Sequence, residues 1–178
     1  MILSFKDHHP DIDQSVYISK TATVTGNVKI GADSSVWPGS VIRGDVSPTI
    51  IGHKVNIQDL SVLHQSPDLP LVIEDEVTVG HQVTLHSCTI RKNALIGMGS
   101  IILDGAEVGE GAFIGAGSLV PPGKKIPAGM MAFGRPAKVV REVTEADRTD
   151  MQRIVREYAE KAQYYKQEEE KKRSGDDA

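Results

Sequence analysis

Little in this chain would build an ordinary globular core. Aromatic residues make up 4% of its 178 positions: one tryptophan, four tyrosines and three phenylalanines. Cys88 is the sole cysteine, which excludes an intrachain disulfide and fits a reducing cytoplasm. It reads as a small buried residue, not a nucleophile. No apolar run approaches membrane-spanning length. The opening "MILSFKDHHPDID" lacks a basic segment followed by a long apolar stretch, so no secretory signal is expected. These absences point to a cytoplasmic protein without a membrane partner. A net charge of -4 gives no broad basic face for nucleic acid.

What the chain does have is 17 glycines and a clock of six. Aliphatic residues fall at Ile18, Val24, Ile30, Val36 and Ile42, then after a slip at Ile51, Ile57 and Leu63. After "SPDLP" come Ile73, Val79 and Leu85; one residue is dropped before Ile90, and Ile96, Ile102, Val108, Ile114, Val120 and Ile126 complete eighteen hexads. The fourth residue after each is small or β-branched in nearly every unit, from Ala22 and Val28 through Val46 and Thr89 to Ser118. A period of six is neither helical nor a simple alternation. It describes short strands and tight corners, three to a coil, with one aliphatic per strand pointing inward. Stacked coils bury columns of such residues, so few aromatics are needed.

This pattern resembles the left-handed parallel β-helix of hexapeptide-repeat proteins, over about residues 10–140. The handedness is implied by the resemblance. The expected fold class is all-β: a parallel β-helix over residues 1–143, followed by a C-terminal α-helix and charged tail over 144–178. Thr144 and Asp147 suit a helix start, and Met151, Ile154, Val155, Tyr158, Ala162 and Tyr165 share one helical face. The tail "KQEEEKKRSGDDA" is expected to fray.

Hexads three apart stack on one face. His64 follows Leu63 and His86 follows Leu85, so these histidines share a position one rung apart, about 4.8 Å. His81 lies two residues after Val79, on the preceding face. A tetrahedral metal needs its nitrogens at about 2.0–2.1 Å, which diverging faces of one chain do not supply. A threefold neighbour would offer its own His81 to the His64/His86 pair. Arg43, Asp45, Asn56, Gln58 and Asp59 collect near the same predicted interface. His8, His9 and His53 read as ordinary surface residues.

At these residues the chain resembles the γ-class carbonic anhydrases, whose pattern is "RGD", "N-x-Q-D", a histidine, then "H-x-x-x-x-H". Here these are Arg43–Asp45, Asn56–Asp59, His64 and His81–His86. The resemblance implies a homotrimer binding Zn2+, or Fe2+ or Co2+, through His64, His81 and His86. It implies hydration of CO2 to bicarbonate by a metal-bound hydroxide. It gives Gln58 a contact to the bound water, Asp45 and Asn56 an orienting role, and Arg43 a pairing with Asp59 across the interface. A tyrosine of the C-terminal helix should approach, with Tyr165 the first match and Tyr164 the alternative. The stretch after His64, "HQSPDLPLVIEDE", is short and carries no evident proton shuttle, and Val46 follows "RGD" where an acid would otherwise stand. Two other readings stay open: an acyl- or acetyltransferase or thioesterase-like acyl-CoA protein of the same fold, and a non-catalytic metal-binding assembly module. Transferases of this fold use a single histidine as general base, and three clustered histidines argue against one.

Overall fold

The computed structural model describes residues 1–174. The chain winds into a parallel β-helix closed by one long helix, Glu145–Ser174. One wall stacks Tyr17–Ile18, Ser35–Val36, Asn56–Ile57, Thr78–Val79, Leu95–Ile96, Phe113–Ile114 and Met130–Phe133 in parallel register. A second wall carries Val62–His64, Thr84–His86, Ile101–Ile102 and Leu119–Val120 above the first half of Val41–Ile51. The third stacks Leu71–Ile73, Thr89–Ile90, Glu107–Val108 and Lys125–Ile126 above its second half. The one antiparallel partner among the described strands, Lys138–Glu142, pairs with Met130–Phe133 where the coil ends. No helix among the described residues is long and apolar enough to cross a membrane.

The six-residue clock becomes the core. Seventeen of the eighteen clock aliphatics are at most 2% exposed, and Ile18 on the first coil is partly buried. Full burial of such a side chain contributes about 1.5–3 kcal/mol, and the coil multiplies that term without large rings. The small second position is also inward, but it is set by the next aliphatic, two residues ahead. Where a unit has an irregular length, the residue in that place changes. Cys88 is buried in place of Thr89, and Thr49 in place of Val46, which is 45% exposed.

Two glycines of "LIGMGS" serve different needs. A Cβ on Gly97 would lie 2.6 Å from the backbone nitrogen of Ala116 on the next coil, so only glycine lets the coils close there. Gly99 has open space around it but turns the corner at φ +69°.

The helix begins with a capping box. Thr144 Oγ1 accepts from the Asp147 amide at 3.2 Å, while Asp147 accepts from the Thr144 amide at 2.8 Å. Met151 and Ala162 bury against the coil, with Ile154, Val155 and Tyr158 partly covered. The expected fraying has no counterpart up to Ser174: the charged stretch stays helical, with i,i+3 pairs such as Lys171–Glu168 at 2.9 Å. Residues 175–178 of the tail lie outside the described residues.

Candidate metal centre

The wall holding His64 and His86 places them in direct register, with Leu63 opposite Leu85 beneath. The aliphatics point in, so both imidazoles point out, half-buried, with ring centroids 5.2 Å apart. His64 Nδ1 faces His86 Nε2 at 3.1 Å. The outer nitrogens are taken: His64 Nε2 lies 3.2 Å from Asp45 Oδ1, and His86 Nδ1 lies 2.5 Å from Asp104 Oδ1. A carboxylate accepts, so each outer nitrogen carries the proton in the neutral ring. With both outer nitrogens protonated, the two inner lone pairs face one space, an arrangement that a cation can share. Burial first, and the Arg43 charge second, push His64 below the usual imidazole range and favour the neutral form that a metal requires.

His81 stands at the other end of the same wall, on the corner that enters it, stacked over Asp59. Five residues that include the left-handed turn residue Gln82 separate it from His86, a reach of at most about 16 Å. Its Nδ1 meets Asp59 Oδ2 at 2.9 Å, and its Nε2 faces the Tyr158 hydroxyl at 3.5 Å. Among the described residues no three ligand-type side chains of one chain gather as a metal site. The donor set still fits a cation of the zinc class. It offers two converging imidazoles, each with an aspartate at its far nitrogen, and a third imidazole held the same way on a separate edge.

Asn56 and Gln58 are buried on the wall that leads to the His81 corner. Asn56 Nδ2 donates to Thr78 Oγ1 at 3.0 Å, and Gln58 Nε2 donates to Asn56 Oδ1 at 2.9 Å. This chain fixes Gln58 with its carbonyl oxygen as the free, accepting end. Arg43 donates to Asp45 at 2.5 Å within the subunit, and Asp59 serves His81. Burial pulls the Asp45 carboxyl up, but hydrogen bonds from Arg43 and His64 outweigh it and hold it below the usual carboxylate range.

Within one chain the helix brings a different tyrosine to His81. The hydroxyl beside His81 belongs to Tyr158. Tyr165 packs its ring on Trp37 and Tyr17, centroids 5.5 and 5.9 Å away, and Tyr164 is exposed. Positions 158 and 165 share a helical face but stand about 10 Å apart along the axis. Face is legible from periodicity; height is not. Burial, then the Asp59 charge, raises the Tyr158 phenol and keeps it protonated. Asp104 and Ser66 were not foreseen. The signal was available in the register: Ile102 stacks on Leu85, which brings the corner after Ile102 next to His86.

Residues 87–122 match the family model described as bacterial transferase hexapeptide (six repeats). The carbonic anhydrase of Geobacillus kaustophilus is 64% identical over 93% of this chain and 91% of that protein. The mitochondrial gamma carbonic anhydrase 2 of Arabidopsis thaliana is 37% identical over 96% of this chain and 63% of that protein. A hexapeptide transferase family protein from Anaplasma phagocytophilum superposes with a TM-score of 0.89 at 38% identity, over 92% of this chain and 97% of that one. The chain belongs to the γ-class carbonic anhydrase-like family of hexapeptide-repeat proteins.

Proposed function

We propose that the protein is a metal-dependent carbonic anhydrase whose sites form between subunits of a homotrimer. His64 and His86 of one chain and His81 of the next would hold the ion, with Zn2+ the first choice and Fe2+ or Co2+ alternatives. The observation that carries the reading is the approach of His64 Nδ1 and His86 Nε2 to 3.1 Å, with an aspartate at each ring's far nitrogen. A hexapeptide acyltransferase needs one general-base histidine and has no use for such a pair, which ranks that reading second. A non-catalytic metal-binding module would share the histidines but has no use for Gln58.

The bound ion supplies Lewis acidity, which makes water a nucleophile near neutral pH. The protein supplies the rest. Gln58, fixed through Asn56 and Thr78, offers its carbonyl oxygen to one proton of the attacking water and orients the lone pair. Asp45, Asp59 and Asp104 hold the imidazoles. A carbon–oxygen bond forms to CO2, bicarbonate leaves, and one proton passes to solvent. The loop after His64 is a tight turn bridged between Ser66 and Leu69, with Asp68 exposed, and brings no side chain forward to carry that proton.

The test is one anaerobically purified sample taken through mass measurement, elemental analysis and stopped-flow CO2 hydration. The expected result is a trimer with about one metal per chain and a hydration rate that climbs with buffer concentration. A metal-free preparation that hydrates CO2 as fast as the loaded one, or a loaded one no faster than buffer, rejects the reading.

A further inference from the structure

Asp104 is the least expected group near the histidines, and both of its carboxylate oxygens are engaged. Its carboxylate joins three successive coils. Oδ1 accepts from His86 Nδ1 at 2.5 Å on the coil below, and Oδ2 accepts from Ser66 Oγ at 2.5 Å one coil further down. The corner that presents it is pinned by the Gly105 amide donating to the Ser87 carbonyl at 2.7 Å. Ser66 is pinned in turn, because its amide donates to Ser87 Oγ at 2.7 Å and that hydroxyl donates to the Leu69 carbonyl at 2.7 Å. The carboxylate therefore has little freedom to turn away from His86.

The three candidate ligands share this plan. Asp45 faces one nitrogen of His64, Asp59 one nitrogen of His81, and Asp104 one nitrogen of His86, at 3.2, 2.9 and 2.5 Å. Three separate coil positions supply the same partner to the same ring type.

We infer that Asp104, buttressed by Ser66, is the positioning residue for His86: it fixes the Nδ1–H tautomer and leaves the Nε2 lone pair aimed at the ion. The inference rests on the reading of His86 as a ligand. Asp104 touches neither substrate nor ion. It acts through the ring by choosing which nitrogen is free and by holding the ring plane against rotation. A ring released from it divides its population between tautomers and rotamers, and only part of that population can bind.

The experiment uses the full chain with 15N-labelled histidine, as wild type, Asp104→Ala, Asp104→Asn and Ser66→Ala. Two-bond 15N–1H spectra of the metal-free proteins read the His86 tautomer, and competition with a chromogenic chelator reads zinc affinity. The wild type should show His86 as a single Nδ1–H form. Asp104→Ala should show a mixture and lose about 10- to 100-fold in zinc affinity, the usual effect of removing such a partner. Ser66→Ala should lose about five-fold, near the worth of one hydrogen bond. Asp104→Asn can still accept from Nδ1–H and should fall between wild type and Asp104→Ala, which keeps the test decisive where the alanine variant folds poorly. A wild type that takes up no zinc overturns the metal reading and the inference with it. Zinc uptake by the wild type, with tautomer and affinity unchanged in Asp104→Ala and Asp104→Asn, overturns the inference alone.

Discussion

At the scale of residues, the site is a set of hydrogen-bond chains that each end on a ligand or a water-facing atom. The chain Thr78–Asn56–Gln58 is buried up to the Gln58 carbonyl oxygen, so the paired groups within it cannot fall back on water. Asn56→Ala leaves a hydroxyl and an amide unpaired in the core and should cost about 1–3 kcal/mol of stability. It also frees Gln58 to turn. Turnover should fall about tenfold, the equivalent of about 1.4 kcal/mol in the barrier, while metal content stays that of the wild type, because no histidine is touched. Loss of metal in step with activity would remove Gln58 from the chemistry and make Asn56 a support of the fold. His64 and His86 were legible in the sequence because each directly follows a clock aliphatic on a strand, which fixes wall, rung and outward direction, whereas His81, two residues after Val79, could be assigned only to its corner. Asp104 was not legible as a partner: it sits on a corner, where the side-chain direction follows from the turn and not from alternation. Cys88, completely buried, has its thiol pushed far above its ordinary value by desolvation, which agrees with its reading as packing and not as a nucleophile.

At the scale of elements, the coil is specified redundantly and the helix at its start. Thr144 and Asp147 cap it reciprocally, and Arg141 adds its guanidinium to the same carboxylate at 2.5 Å. The Arg141 hydrogen bond first, then those from Thr144, hold the Asp147 carboxyl well below the usual range. A depressed carboxyl stabilises the fold above its unfolded-state value, near 3.8, and that contribution is lost as pH falls through the lower folded value. Asp147→Asn should therefore melt earlier than wild type at neutral pH, and the gap should narrow steadily as pH drops below about 4. Thr144→Ala should cost about 1 kcal/mol at neutral pH, and only the part of that loss carried by its hydroxyl's donation to the Asp147 carboxylate should fade in acid. Circular dichroism melts at several pH values separate the two; a gap for Asp147→Asn that is independent of pH would assign its effect to shape alone. The capping residues and the apolar face were readable from the sequence. The register of Tyr158 against His81 was not, because it depends on where the exit segment after Ile126 delivers the helix onto the wall.

At the scale of the whole molecule, one wall carries an unusual outward column. Val62 is 43% exposed, with Val41, Ile101 and Leu119 partly exposed on the same wall and Leu60 and Met98 exposed at the corner where His81 sits. Apolar groups at the histidines' own wall and corner suit burial against a second copy, whose corner would bring His81 to the His64/His86 end. Mixed trimers test that arrangement directly. His64→Ala and His81→Ala each break every site in a homotrimer, so each alone should lose metal and activity. Unfolded and refolded together, the chains mix. A site is intact where a His81→Ala chain supplies the His64/His86 pair and a His64→Ala chain supplies His81. Under equal random mixing this holds for about a quarter of the interfaces, a consequence of cyclic symmetry, and metal content and hydration should recover to that fraction. Were all three ligands drawn from one chain, every site would stay broken at any mixing ratio. Mass spectrometry of differently tagged chains shows whether exchange has taken place; complete exchange with no recovery rejects the shared site while leaving the β-helix untouched.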